Sequence, residues 1–265
     1  MKKLISVLLC TALLLSLCAC GGKVLTAEAL YRLVEEKTAA MEQLDTHIDM
    51  TMDMTFPTEE GEETHQVFVT GDVKGEKINT AEMRMAMPMT VLMPSVGMTM
   101  LTDIYYADGW YLMELMGQRV KCALPLEEAI EQFRQNKLQS LDFVRDLTIA
   151  TDEQTGLYRL NYRLDMDKAL ETIGQYGGGT LSGLSEETDS IEWGDCNCTI
   201  TADAEGNPTA QTMDMTFAVT GEGEAIPYAL HMEYTYNPIG ADFTVEIPDP
   251  ESFTEVDPSL LGLAS

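Results

Sequence analysis

The sequence predicts an α+β fold dominated by antiparallel sheet, and three observations carry that prediction. After one helical stretch, the apolar period switches from about 3.6 to two. The alternation then holds through two long runs, roughly 46–123 and 147–236, separated by a helical interlude. The hexapeptide Thr51-Met52-Asp53-Met54-Thr55-Phe56 also recurs as Thr212-Met213-Asp214-Met215-Thr216-Phe217. Each copy puts Met, Met and Phe on one face of a strand and Thr, Asp and Thr on the other. One half-wet strand pattern is thus used once in each run.

The chain opens with a targeting segment. Lys2 and Lys3 precede an apolar stretch from Leu4 to Leu17, and Leu17-Cys18-Ala19-Cys20-Gly21 resembles the bacterial lipobox. That resemblance implies removal of residues 1–19 as a signal peptide and diacylation of Cys20, which would tie the chain to the membrane. A spanning helix is the competing reading, but the apolar run is shorter than the roughly 20 residues such a helix needs. Residues 20–25 are then a short linker, 26–250 a single domain and 251–265 an irregular tail.

Lys2 and Lys3 leave with the signal, so the net charge falls from −28 to −30. A surface this acidic repels nucleic acid and anionic head groups, and no nucleic-acid partner is expected.

Thr26 is placed to cap a helix running to about Leu44, with Leu30, Leu33, Val34, Ala40, Met41 and Leu44 as its apolar stripe. Strands follow from Ile48 to Phe56, from Glu63 to Lys74 and through Met83, Met85, Met87 and Met89. Pro88 interrupts the last of these, so that strand is expected to end, bulge or lie at an edge. Met98 and Met100 begin another, and Asp108-Gly109 signals a hairpin before Trp110. The first run therefore holds five or six strands.

Pro125 opens a helix with Leu126, Ala129, Ile130 and Phe133 on its apolar face, and a further helical stretch reaches Val144. Alternation resumes at Leu147 and through Tyr158–Leu164. A short helix to about Tyr176 and the flexible Gly177-Gly178-Gly179 follow. Three strands at about 190–202, 209–220 and 226–236 complete the second run.

The element order, with the hairpin Tyr105, Tyr106, Gly109, Trp110 and Tyr111 and the closing Tyr236-Asn237-Pro238-Ile239-Gly240, resembles the lipoprotein-carrier superfamily. This group includes LolA/LolB-like carriers and LppX/LprG-type lipoproteins. The closest likeness is to uncharacterised lipoproteins of Gram-positive anaerobes. The resemblance implies a strongly curved antiparallel half-barrel with helices covering its concave face and acyl chains held between them.

Methionine is the compositional excess with a mechanism attached. Of 18 methionines, 12 lie between residues 50 and 116. Thioether side chains are unbranched and polarizable, which suits a cavity for an irregular apolar ligand. The expected lining is Met50, Met52, Met54, Phe56, Met83, Met85, Met87, Met98, Met100, Met213, Met215 and Phe217. The plain alternative is that these side chains fill a helix-on-sheet core with no space for a ligand, in an envelope protein that has a structural, interaction or sensing role.

Soft metals are the other chemistry such residues offer. Met-x-Met-x-Met beside His47 would suit Cu(I), yet these methionines fall where any apolar residue would. Cys196-x-Cys198 also suggests a soft site, but the sequence supplies no further Cys or nearby His to complete one. A bond from Cys122 to either of them is compatible with the sequence. No metal and no cofactor is expected.

Nothing in the sequence points to an enzyme. His47, His65 and His231 lack metal-ligand spacing, and Gly-x-Ser-x-Gly, His-Glu-x-x-His and P-loop patterns are absent. Asp203 to Asn207 reads as a hairpin turn rather than a calcium loop.

Overall fold

The structure is a computed structural model. It describes residues 25–58, 61–78, 80–133, 141–166, 168, 190–221, 224–261 and 263. The expected signal peptide, acylated Cys20, the helix to Tyr176 and the triple glycine lie wholly or mostly outside these residues.

Twelve strands form one sheet in the order β12-β6-β5-β4-β3-β2-β1-β11-β10-β9-β8-β7. The first run folds as an antiparallel meander: β1 (Gln43–Thr58), β2 (Gly61–Glu76), β3 (Arg84–Met93), β4 (Met98–Ala107), β5 (Trp110–Leu115) and β6 (Gln118–Ala123). The second run supplies β7 (Val144–Thr151), β8 (Tyr158–Leu164), β9 (Ser190–Ala202), β10 (Pro208–Gly221) and β11 (Glu224–Tyr236). Antiparallel pairing of β1 with β11 joins the two meanders into a single open sheet. The expectation of one large sheet is met.

Several boundaries differ from the sequence reading. Helix α1 (Ala27–Ala39) stops five residues short of Leu44. The Ala40 N–H is shared between the carbonyls of Glu36 and Lys37, the Met41 N–H donates to the Thr38 carbonyl, and Gln43 then opens the β1–β2 ladder opposite Glu76. Pairing along a 16-residue strand outweighs one more helical turn. Likewise, Pro88 neither ends β3 nor sits at an edge. It pairs with Asp103 on β4, while the β2 ladder is interrupted between Gly71↔Met89 and Lys74↔Ala86. The gap falls where proline has no N–H to give. Opposite it, a Cβ on Gly71 would lie 2.4 Å from the Pro88 carbonyl oxygen, so only glycine admits this approach.

The predicted Asp108-Gly109 turn has positive φ at both residues (52° and 78°), as a two-residue hairpin of right-handed strands requires. Met116-Gly117 repeats this geometry (50° and 82°) between β5 and β6, with no comparable sequence signal. The tail is more ordered than expected. β12 (Thr254–Glu255) runs parallel to β6, Phe253 is buried, and the Lys121 ammonium donates to the Pro250 carbonyl at 2.9 Å. The open edge of β6 is thereby partly covered.

Two buried clusters form on the same sheet face, one over each wing. On the β8–β9 wing, Leu160, Tyr162, Cys196, Cys198 and Ile200 pack with Leu30, Tyr31 and Val34 of α1. Tyr31 meets Tyr162 edge-on at 5.3 Å between ring centroids. On the β3–β6 wing, Met83, Met85, Tyr106, Tyr111 and Cys122 pack with Leu124 and with Ala129 of α2 (Leu126–Phe133).

The turn between β9 and β10 anchors α1. Asp203 Oδ1 accepts from the backbone N–H groups of Glu205 and Asn207, and Oδ2 accepts from Asn207 Nδ2. The carboxylate is thus satisfied within the turn. Gly206, at φ 85°, lies so close to Leu33 that a Cβ there would fall 2.6 Å from the Leu33 Cβ.

Candidate functional site

Between the wings lies a central strip built from the repeated hexapeptide. Its two copies, on β1 and β10, flank β11 on either side and run in the same direction. They are offset by two residues, which preserves the face. Met50 and Met213 both face Met232, Met52 and Met215 both face Leu230, and Met54 and Phe217 both face Tyr228. Side chains directly opposite on one face have Cβ atoms about 4.5–5.5 Å apart. Methionine, leucine and aromatic side chains therefore form a contiguous strip three strands wide, continued onto β2 by Val67 and Val69.

The strip differs from the wings in burial. Met50, Met52, Met54, Met213, Met215, Phe217, Tyr228, Leu230 and Met232 are all half-buried. Adjacent to them, the wing residues Cys196 and Cys198 are only 1% and 3% exposed.

At one end the strip becomes aromatic. Phe217 stacks on Tyr228 with centroids 4.8 Å apart and ring planes within 5°, and Trp193 leans on Phe217 at 5.3 Å. Strand alternation alone would send Trp193 to the opposite face, since Cys196 faces Met215. A bulge corrects this: three steps along β9, from Cys196 to Trp193, match two along β10, from Met215 to Phe217. Gly194 makes the bulge feasible, because a Cβ there would sit 2.3 Å from the Thr216 hydroxyl oxygen. Phe56 contributes on β1, edge-on to His65 at 5.3 Å.

The twelve residues singled out in the sequence divide into three groups. Met50, Met52, Met54, Phe56, Met213, Met215 and Phe217 belong to the central strip. Met83 and Met85 are buried in the β3–β6 core, with Met87 packed against it. Met100 lies in line with Met50 through Val91 and Val69 and is half-buried, and Met98, two residues earlier, is 37% exposed. The strip residues that sequence reasoning missed are Tyr228, Leu230, Met232 and Trp193. The first three carry a clear alternation, but nothing in the sequence placed their strand between the two hexapeptides.

The opposite face is polar. His47 Nδ1 and Asp72 Oδ1 lie 2.7 Å apart, and Asp49 Oδ2 lies 3.3 Å from His47 Nε2. The hydrogen bond to Asp72, reinforced by Asp49, raises the imidazole pKa above its ordinary value. His231 Nδ1 and Asp214 Oδ1 make a similar contact at 2.7 Å. A hollow of about 470 Å³ is lined by Asp53, Thr55, Thr64, Thr216, Ala218 and Ala229 of this face together with Trp193, Phe217 and Tyr228 from the aromatic end of the strip. Phe217 is the one member of the predicted lining set that borders it.

All three cysteines of the described residues are free. Seven strands separate Cys122 on β6 from Cys196 and Cys198 on β9, so the bond that the sequence allowed is excluded. Among the described residues, no group of three or more His, Cys, Asp or Glu side chains could hold a metal, and no helix is long and apolar enough to cross a membrane.

No family model and no curated protein matches the chain. Among solved structures it is similar to LprF from Mycobacterium bovis at 13% identity, with 85% of this chain and 98% of that one covered and a TM-score of 0.39. A LolA superfamily protein from Nitrosomonas europaea is similar at 8% identity, covering 81% and 95% of the two chains, with a TM-score of 0.24. Lipovitellin, from a structure describing its lipid–protein interactions, is similar at 8% identity over 78% of this chain and 26% of its own, with a TM-score of 0.40. Likeness at this level fixes neither ligand nor activity.

Proposed function

We propose that the chain is a lipid-anchored envelope protein that holds a lipid or other apolar ligand against its central methionine strip. The observation that carries this reading is the difference in burial along one continuous apolar face. Both ends are closed by packed clusters, while the middle stays half-buried across β1, β11 and β10. An acyl chain lying there would remove apolar surface from water at roughly 25 cal/mol per Å². Flexible thioethers would adapt to its shape.

In this reading residues 1–19 direct export, acylated Cys20 anchors residues 26–250 as one domain at the outer face of the cell membrane, and 251–265 form the tail. Curvature of the sheet toward the strip, with α1 and α2 over its two ends, would give the ligand its walls. The net charge of −30 disfavours an anionic head group near the protein surface, so recognition rests on the apolar body of the ligand.

Native mass spectrometry of the purified protein, followed by solvent extraction, tests the proposal. A co-purifying mass that extraction removes, together with uptake of a fluorescent fatty acid by the extracted protein, is the expected result. A bare protein mass with no uptake would instead favour a structural or interaction protein that keeps the sheet without a ligand.

A further inference from the structure

The sequence leaves Cys196-x-Cys198 without partners, and the register of β9 against β10 supplies them. Met213 lies directly opposite Cys198, and Met215 directly opposite Cys196. Four sulfur side chains thus occupy a two-by-two block on one face of adjacent strands. The two Sγ atoms are 4.0 Å apart and both thiols are free.

That spacing is far too long for a disulfide, whose sulfurs lie about 2.05 Å apart. With metal–sulfur bonds of about 2.3 Å, two sulfurs 4.0 Å apart subtend roughly 120° at a shared ion, which is trigonal geometry with room for a third sulfur. Directly opposed side chains, with Cβ atoms about 4.5–5.5 Å apart, bring the thioethers within reach of that position.

From this juxtaposition we infer that Cys196, Cys198, Met213 and Met215 form a binding site for a soft monovalent cation of the Cu(I) or Ag(I) class. Thiolate and thioether sulfur select such ions over harder divalent cations. The cysteines lie 1% and 3% exposed, while the methionines are half-buried, so the thioethers form the entrance and the thiols the floor. Tyr162 pairs with Cys198 from the other side, on β8, and closes the block against α1 through its contact with Tyr31. On binding, each thiol releases its proton to solvent as its sulfur bonds the ion, and the thioethers donate lone pairs without losing a group. This inference stands apart from the lipid reading, and its test contains no lipid.

The test uses the mature reduced protein, without the signal segment and its two cysteines, and Ag(I), which does not cycle under peroxide. Methionine oxidation by dilute hydrogen peroxide is mapped by peptide mass spectrometry with and without one added equivalent of the ion. Oxidation of Met213 and Met215 is expected to slow by about tenfold or more, while Met50 and Met52 on β1 are unchanged. Unchanged rates at Met213 and Met215, or equal slowing at Met50 and Met52, would overturn the site. In competition with a chromophoric Cu(I) chelator, the double variant Met213→Leu/Met215→Leu should bind about tenfold more weakly, and Cys196→Ser/Cys198→Ser should lose one equivalent. Full retention by the cysteine variant would also overturn it. If either variant fails to fold, the footprint on the unaltered chain still decides.

Discussion

One apolar sheet face behaves in two ways along its length. Over the wings it is sealed: Leu160 and Cys122 show no exposure, Tyr106 only 1% and Ile200 only 2%. Across β1, β11 and β10, side chains of the same polarity and alternation remain half-buried. Strand pattern therefore sets which way a side chain points, whereas burial depends on what packs above it. Helix α1 closes one wing, and α2 with the C-terminal Leu261 and Leu263 packs on the other. The choice of methionine in the open strip and of branched or aromatic residues in much of the sealed wings fits that division.

The sharpest way to break the comparison is to delete equivalent side chains from each region. Leu160→Ala should cost about 2–5 kcal/mol, because the site is fully enclosed and collapses only in part. Met52→Ala should cost about 1 kcal/mol, since that side chain already meets solvent in part in the absence of ligand. Urea unfolding of both variants checks the contrast, and equal losses would erase the distinction between wing and strip.

Gly194→Ala probes the bulge that returns Trp193 to the strip. A Cβ 2.3 Å from the Thr216 hydroxyl forces the strands to shift, and a loss of about 1–3 kcal/mol is expected with a change in tryptophan fluorescence. Thr46 marks the border between the strip and the β3–β6 core. It is 3% exposed, and its hydroxyl has no hydrogen-bond partner among the described residues. Thr46→Val should raise stability by about 1 kcal/mol, as removal of an unsatisfied buried hydroxyl does.

The smallest effect belongs to the polar face. His47 has its pKa raised by the Asp72 hydrogen bond and then by Asp49. Protonated imidazole is thus favoured in the folded state. Its contribution is fully present below the unfolded value of about 6.5 and is lost as pH rises through the raised folded value. The side chain is 41% exposed, so the slope is shallow, and His47→Gln should flatten it in thermal melts across that range.

Strands were legible in the sequence because alternation is local, and both hexapeptides emerged with their methionines on the expected face. Register across the sheet was not legible, because it is set by contacts far apart in sequence. Nothing local announced that β11 would separate the two copies, or that Met213 and Met215 would oppose the two cysteines. Pro88 misled for the complementary reason: the missing donor is accommodated by a gap in one ladder beside Gly71, a partner on another strand. The Trp193 bulge and the β5–β6 turn depend on backbone conformations that Gly194 and Met116-Gly117 permit but do not advertise.

The central claim is that the strip spanning β1, β11 and β10 is where an apolar ligand lies. Photocrosslinking with a fatty acid carrying a diazirine on its chain, followed by peptide mass spectrometry, tests it most directly. Adducts localised to Met50, Met52, Met213, Met215, Leu230 and Met232, and competed away by unlabelled fatty acid, are the predicted result. Adducts confined to the hollow around Asp53, Thr64 and Thr216 on the polar face, or scattered without competition, would contradict it.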